Sequence, residues 1–149
     1  MENITNLDNV IDSRDIISRI AELESEQSDL MEAIADLENE ENHTEETLSS
    51  LYQARADFTE WEKESGEELD TLRALASEAE GYGDWEYGET LIHEGYFTEY
   101  AQELAEDCGD MPKDLKWPFT CIDWDQAARE LKYDYTAVDF DGQTYLMRA

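Results

Sequence analysis

The stretch IAELESEQSDLMEAIADLENEENHTEE, Ile20 to Glu46, decides how this chain is read, because two periodicities run through it at once. Eleven of its 27 residues are acidic and none is Lys or Arg. Apolar residues fall at Ile16, Ile20, Leu23, Leu30, Ile34 and Leu37, three or four apart, with Gln27 in the remaining seam position. That spacing predicts a helix from about Ser13 to Glu41 with a short coiled-coil stripe. Asp12 or Ser13 caps its start, and the stripe stops in the polar turn ENEENHTEE, Glu38 to Glu46. A second helix is expected from about Thr44 to Glu64, with Leu48, Leu51, Tyr52, Phe58 and Trp61 on its apolar side. The short polar connection favours an antiparallel hairpin, and a two-chain coiled coil is the rival arrangement. SGEE, Ser65 to Glu68, has capping-box spacing and is read as opening a third helix through Leu69, Leu72, Leu75, Ala76 and Ala79, closed by Gly81.

Beyond this arm the texture changes. GYGDWEYGE, Gly81 to Glu89, is rich in glycine and aromatics and marks the expected boundary between residues 1–80 and 81–149. HEGYFTEYAQELAEDCG predicts a helix from about Gly95 to Cys108 that buries Phe97, Tyr100, Ala101, Leu104 and Cys108. MPKDLKWPFTCI carries both prolines and is expected to be irregular. Asp123 caps a helix through WDQAARELKYD, and TAVDFDGQTYLMR alternates around Asp141 and Gly142, a strong hairpin signal. The expected fold is mainly α (α+β). An acidic helical arm of hairpin plus third helix precedes a small globular module that ends in a two-stranded β-hairpin.

Composition narrows function. The 149 residues carry 40 acids against 10 bases, a formal net charge of -30, while 40% apolar residues and 11% aromatics supply a core. The N-terminus MENITNLDNV has no basic start or apolar stretch, and no run of about 18 apolar residues occurs, so a soluble protein of the cytosol is expected. Cys108 and Cys121 form no CxxC pattern and are read as reduced and buried. With His43 and His93 they give no zinc-ligand spacing, and no metal or cofactor is expected. Catalysis lacks a signature: His93 stands without a nucleophile pattern, and it is read as a surface or structural residue. DFDG, Asp139 to Gly142, fails as a calcium loop, since alignment on Gly142 puts Ala137 and Arg148 at ligand positions. The aromatics of GYGDWEY and KWPFTCIDW are read as core rather than as a base-stacking platform, which needs a basic groove.

The acidity excludes direct contact with nucleic acid or an anionic membrane and points to a basic partner. Carboxylates three or four residues apart on a helix stand about 5–6 Å from one another, comparable to the spacing of phosphates along a DNA strand that rises about 3.4 Å per nucleotide. Glu22, Glu26, Asp29, Glu32, Asp36 and Glu40 form such a row away from the apolar seam, and Glu99, Glu103, Glu106 and Asp110 form a second set on the later helix. Two like charges 6 Å apart repel by roughly 0.7 kcal/mol in water. An ordinary helix relieves this with Lys at i+4, and the first row has no base after Arg19.

NLDNVIDSRDIISRIAELE, AEGYGDWEYGETLIHEGYFTEYAQELAEDCG and WPFTCIDWDQAARELKYDYTAVDFDGQTYLMR resemble small acidic proteins of bacteriophages and mobile elements of antirestriction type. The region between about Glu24 and Thr71 is similar to a variable insert in that group. The resemblance implies evasion of host defence by DNA mimicry, as an inhibitor that occupies the basic DNA-binding channel of a restriction or CRISPR-type complex. It implies no particular site residue. Two other readings stand beside it: a coiled-coil scaffold or adaptor whose arm pairs with itself, as a homodimer, or with another helix and leaves a solvated acidic surface, and the ordinary domain of a salt-adapted host.

Overall fold

A computed structural model describes residues 4–108 and 116–148. The chain divides into two compact units, Ile17–Ala74 and the combination of Met1–Ile16 with Leu75–Ala149. This differs from the boundary expected at residues 80 and 81. The first sixteen residues group with the C-terminal module because they supply a strand to its sheet.

The helical unit is built from α1 (Ser13–Glu38), α2 (Glu45–Trp61), a π-helical turn (Glu62–Gly66) and the start of α3 (Glu67–Ala79). Thr44 caps α2, its hydroxyl accepting from the Thr47 N–H at 3.1 Å. The expected break at Ser65 does not occur. Backbone on both sides of the π turn stays right-handed helical, so the N–H groups that a capping box would satisfy are already bonded within a continuous leg. The eight-residue step from Trp61 to Leu69, one longer than a heptad, is accommodated by the extra residue of the π turn.

Cross-links between the legs show an antiparallel hairpin: Arg19 meets Glu68, Glu26 meets Trp61 and Glu38 meets Arg55, so residue number falls on one leg as it rises on the other. Leu23, Leu51, Leu69 and Leu72 are buried, and Ile20, Leu30, Ile34 and Leu37 are half-buried. The seam is therefore covered within one chain, and the rival two-chain coiled coil is not needed to hide it. Leu48 and Tyr52, expected on the apolar side of α2, are instead exposed.

The second unit is organised by a four-stranded antiparallel sheet in the order β1-β2-β4-β3, from β1 (Val10–Asp12), β2 (Thr90–His93), β3 (Tyr135–Phe140) and β4 (Gln143–Arg148). Only the β3–β4 hairpin was expected. Its two-residue connection places Asp141 (φ 49°) and Gly142 (φ 84°) in the left-handed region, as a type I′ turn requires. The two additional strands pair Ile11 with Leu91 and Ile92 with Leu146. Successive residues Leu91 and Ile92, and Tyr145, Leu146 and Met147, are all buried, so the two central strands are covered on both faces. On one face Ile92 and Leu146 pack with Phe97 of α5 (Phe97–Asp107), Ala101 and Ala128 of α6 (Trp124–Leu131), flanked by Tyr100, Leu131 and Tyr135. Asp123 caps α6 as expected, accepting from the Gln126 N–H at 3.1 Å.

Between α3 and β2 lies the short α4 (Trp85–Gly88). α3 ends at Ala79 rather than at Gly81, and Gly83 (φ 41°) is the residue in this turn with a left-handed backbone. Ser13 joins the segment to the start of α1: its hydroxyl donates to the Trp85 carbonyl and accepts from the Glu89 N–H, both at 2.7 Å. Cys108 and Cys121 are free but exposed, against the expected burial. Cys108 ends α5 where the helix leaves the core, and Cys121 lies in an exposed turn. No helix among the described residues is long and apolar enough to cross a membrane.

Candidate acidic partner surface

In the helical unit 18 acids stand against Arg19, Arg55, Lys63 and Arg73. All three arginines form ion pairs. Arg19 holds Glu68 through two nitrogens, at 2.9 and 3.0 Å, and reaches Glu22 at 3.1 Å. Arg55 pairs with Glu38 at 2.9 Å and Arg73 with Glu24 at 3.1 Å. The hydrogen bonds from Glu68 raise the Arg19 pKa most, against the partial burial that acts to lower it, and Glu22 adds a smaller pull in the same direction as Glu68.

These pairs revise the picture of an unrelieved row. Along α1 the acids lack bases after Arg19, and the opposing leg supplies Arg55 to Glu38 and Arg73 to Glu24 on the flanks of the helix. Glu22 is neutralised by Arg19, and Glu26 accepts from the Trp61 indole N–H at 3.0 Å. Glu40 lies past the end of α1 and accepts from the Thr47 hydroxyl at 3.1 Å. Asp29, Glu32 and Asp36 remain exposed, with no cation or hydrogen-bond donor among the described residues. They are spaced three and four residues apart, so their carboxylates stand on one side of the helix.

In the other unit, Glu99 and Glu103 are exposed on α5 and Glu106 is half-buried. Glu103 accepts from the Tyr96 hydroxyl at 2.6 Å, which pushes the phenol pKa up. Asp110 lies outside the described residues. The two acid sets thus belong to separate units.

The residues that sequence reasoning missed are the arginines and the acids of the second leg. Glu60, Glu62, Glu64, Glu67 and Asp70 are exposed along α2, the π turn and α3. A signal was available: Arg19, Arg55 and Arg73 flank the apolar positions, where a long side chain can reach across a helix pair. Glu62, Glu67 and Asp70 also line a hollow of about 380 Å³ at the π turn with Gln27, Trp61 and Gly66. No group of three or more His, Cys, Asp or Glu side chains among the described residues is arranged to hold a metal ion.

His93 has a structural task. Its Nδ1 accepts from the Gly95 N–H at 3.0 Å, which leaves Nε2–H to donate to the Gln143 Oε1 at 3.0 Å, and the ring stands edge-on to Tyr145. Both nitrogens are occupied in positioning the turn from β2 into α5.

No protein-family model matches the chain, and neither the curated proteins nor the solved structures contain a significant match to it.

Proposed function

We propose that the protein is an acidic DNA mimic that inhibits a host nucleic-acid-binding defence complex of restriction or CRISPR type by occupying its basic channel. The observation that carries this reading is the imbalance left after internal pairing. Every arginine of the helical unit is committed, while fourteen of its 18 carboxylates have no cation partner among the described residues. Asp29, Glu32 and Asp36 supply the centre of the surface, because their exposure and spacing suit Lys and Arg side chains that otherwise hold phosphates. Such a partner would gain fast, charge-steered association.

The test is binding of the full chain to purified restriction and CRISPR effector complexes over a salt series, with duplex DNA as competitor. Affinity is expected to fall steeply with salt, and DNA and protein are expected to exclude one another. Reversing three charges, D29K/E32K/D36K, is expected to weaken binding by at least about tenfold, since like charges then face the channel. Affinity that barely changes with salt would sink the mimic. If the reversal spares function, the acids are solvated cover and the protein is an adaptor.

A further inference from the structure

The sheet of the second unit has two edge strands, and the longer is β3, with six residues against three in β1. Across the two-residue Asp141–Gly142 turn, Phe140 and Gln143 form the first hydrogen-bonded pair of the hairpin, so the N–H and C=O groups of Thr136, Val138 and Phe140 face β4. Those of Tyr135, Ala137 and Asp139 point away from the sheet, where a further strand could pair with them. Two of these three outward N–H groups are held within the chain. Tyr135 donates to the Lys132 carbonyl in the turn before β3, and Asp139 donates to the Glu78 carboxylate of α3 at 3.3 Å. Ala137, between them, is exposed. Glu78 belongs to the same compact unit as β3, and Leu75 and Ala79, three residues before it and one after, are fully buried, which fixes the helix that carries this carboxylate to the edge.

We propose that Glu78 closes this edge against pairing with the same edge of a second copy of the chain. Unguarded, β3 is self-complementary. In an antiparallel crossing centred on Ala137, the two Ala137 residues pair with each other, Thr136 falls opposite Val138 and Tyr135 opposite Asp139, so no like charges meet across the strands. In that register the Asp139 N–H must donate to the second copy's Tyr135 carbonyl. The Glu78 carboxylate holds the place that this carbonyl would take. A two-fold axis brings in both Glu78 side chains, one toward each end of the crossing, and strand pairing would strip water from carboxylates that gain no donor in exchange. The net charge of -30 also keeps copies apart, but over distances that salt screens. The guard acts at contact range, so it persists when screening lets copies approach. The proposal does not rest on the mimic reading.

Amide hydrogen exchange and sedimentation equilibrium of the full chain test it. At low salt, where charge keeps copies apart, the Asp139 amide of the parent chain is expected to exchange at least about tenfold more slowly than the Ala137 amide. Glu78→Ala is expected to abolish that difference and to leave Val138 and Phe140, which face β4, unchanged, since alanine suits a helix and does not loosen α3. Glu78→Gln keeps an oxygen that can accept and is expected to retain the protection of Asp139. In about 1 M salt, where the Debye length is about 3 Å, the mass of Glu78→Ala is expected to rise with concentration from the 17.2 kDa monomer toward twice that value, under conditions in which the parent chain does not associate. Adding Ala137→Pro to Glu78→Ala removes the outward N–H at the centre of the crossing and is expected to restore the monomer, with circular dichroism checking that each variant stays folded. A parent Asp139 amide that exchanges as fast as that of Ala137 overturns the proposal. So does a Glu78→Ala chain that stays monomeric in high salt, or a dimer that Ala137→Pro leaves intact.

Discussion

Ser13 shows how much a single small side chain can hold. It is fully buried, and its hydroxyl satisfies both the Trp85 carbonyl and the Glu89 N–H while its own N–H donates to the Glu89 carbonyl at 2.8 Å. Ser13→Ala would strand two backbone groups and is expected to cost about 1–3 kcal/mol, measured by urea unfolding followed by circular dichroism. Tyr145 is the corresponding anchor in β4, its hydroxyl donating to the Asp8 carbonyl at 2.5 Å. Burial pushes this phenol up to about 12, and burial together with the Tyr100 hydroxyl pushes Tyr135 up as well. A pKa raised on folding means that the folded state holds the proton more tightly. Stability is therefore intact below the ordinary tyrosine value of about 10 and is lost as pH rises through the folded value. Thermal unfolding between about pH 9 and about pH 12 is expected to show a falling Tm, with a shallower decline in Tyr145→Phe, which has no phenol to ionise.

At the scale of elements, the helical unit joins a regular stripe to an irregular turn. Leu23→Ala is expected to cost about 2–5 kcal/mol, since the side chain is fully buried in the seam. Met31, on the same helix and 55% exposed, is expected to tolerate the same change within about 0.5 kcal/mol. Gly66 ends the π turn within a continuous helical leg, and an added Cβ would meet only the Glu62 Cβ at an ordinary 3.7 Å. Gly66→Ala is therefore expected to stabilise the hairpin by about 0.5–1 kcal/mol, by restricting the unfolded chain without strain in the folded one. Calorimetry checks all three variants against the parent. Local signals marked several of these elements well. The Asp141–Gly142 turn, the Asp123 cap and the Thr44 start each rest on neighbouring residues whose chemistry is complete within one turn of chain. The π turn was not legible, because Ser65 and Glu68 also satisfy the pattern of a new helix start.

For the molecule as a whole, the net charge of -30 sets a background of self-repulsion. Raising salt until the Debye length falls to about 8 Å is expected to increase Tm, because the repulsion among exposed acids is screened more than the few short ion pairs are weakened. A Tm that falls instead would show that the internal arginine pairs dominate. Of the candidate surface, the exposure of Asp29, Glu32 and Asp36 followed from helical periodicity alone. Their isolation from any base did not, since it depends on where Arg19, Arg55 and Arg73 reach once the legs pack.

What the sequence by itself determined is the local grammar: an apolar stripe that makes α1 pack, a turn that folds the hairpin, acids placed away from that stripe, and a type I′ connection between β3 and β4. These follow from interactions within a few residues. Tertiary structure decided what depends on partners distant in the chain. Val10–Asp12 and Thr90–His93 are too short to announce themselves as strands, and become strands only when β2 docks on β4 and β1 docks on β2. The same holds for charge. A row of carboxylates can be counted in a sequence, but which of them stay unpaired is fixed only when the opposing leg brings its arginines within about 3 Å, the range in which charge-assisted hydrogen bonds form.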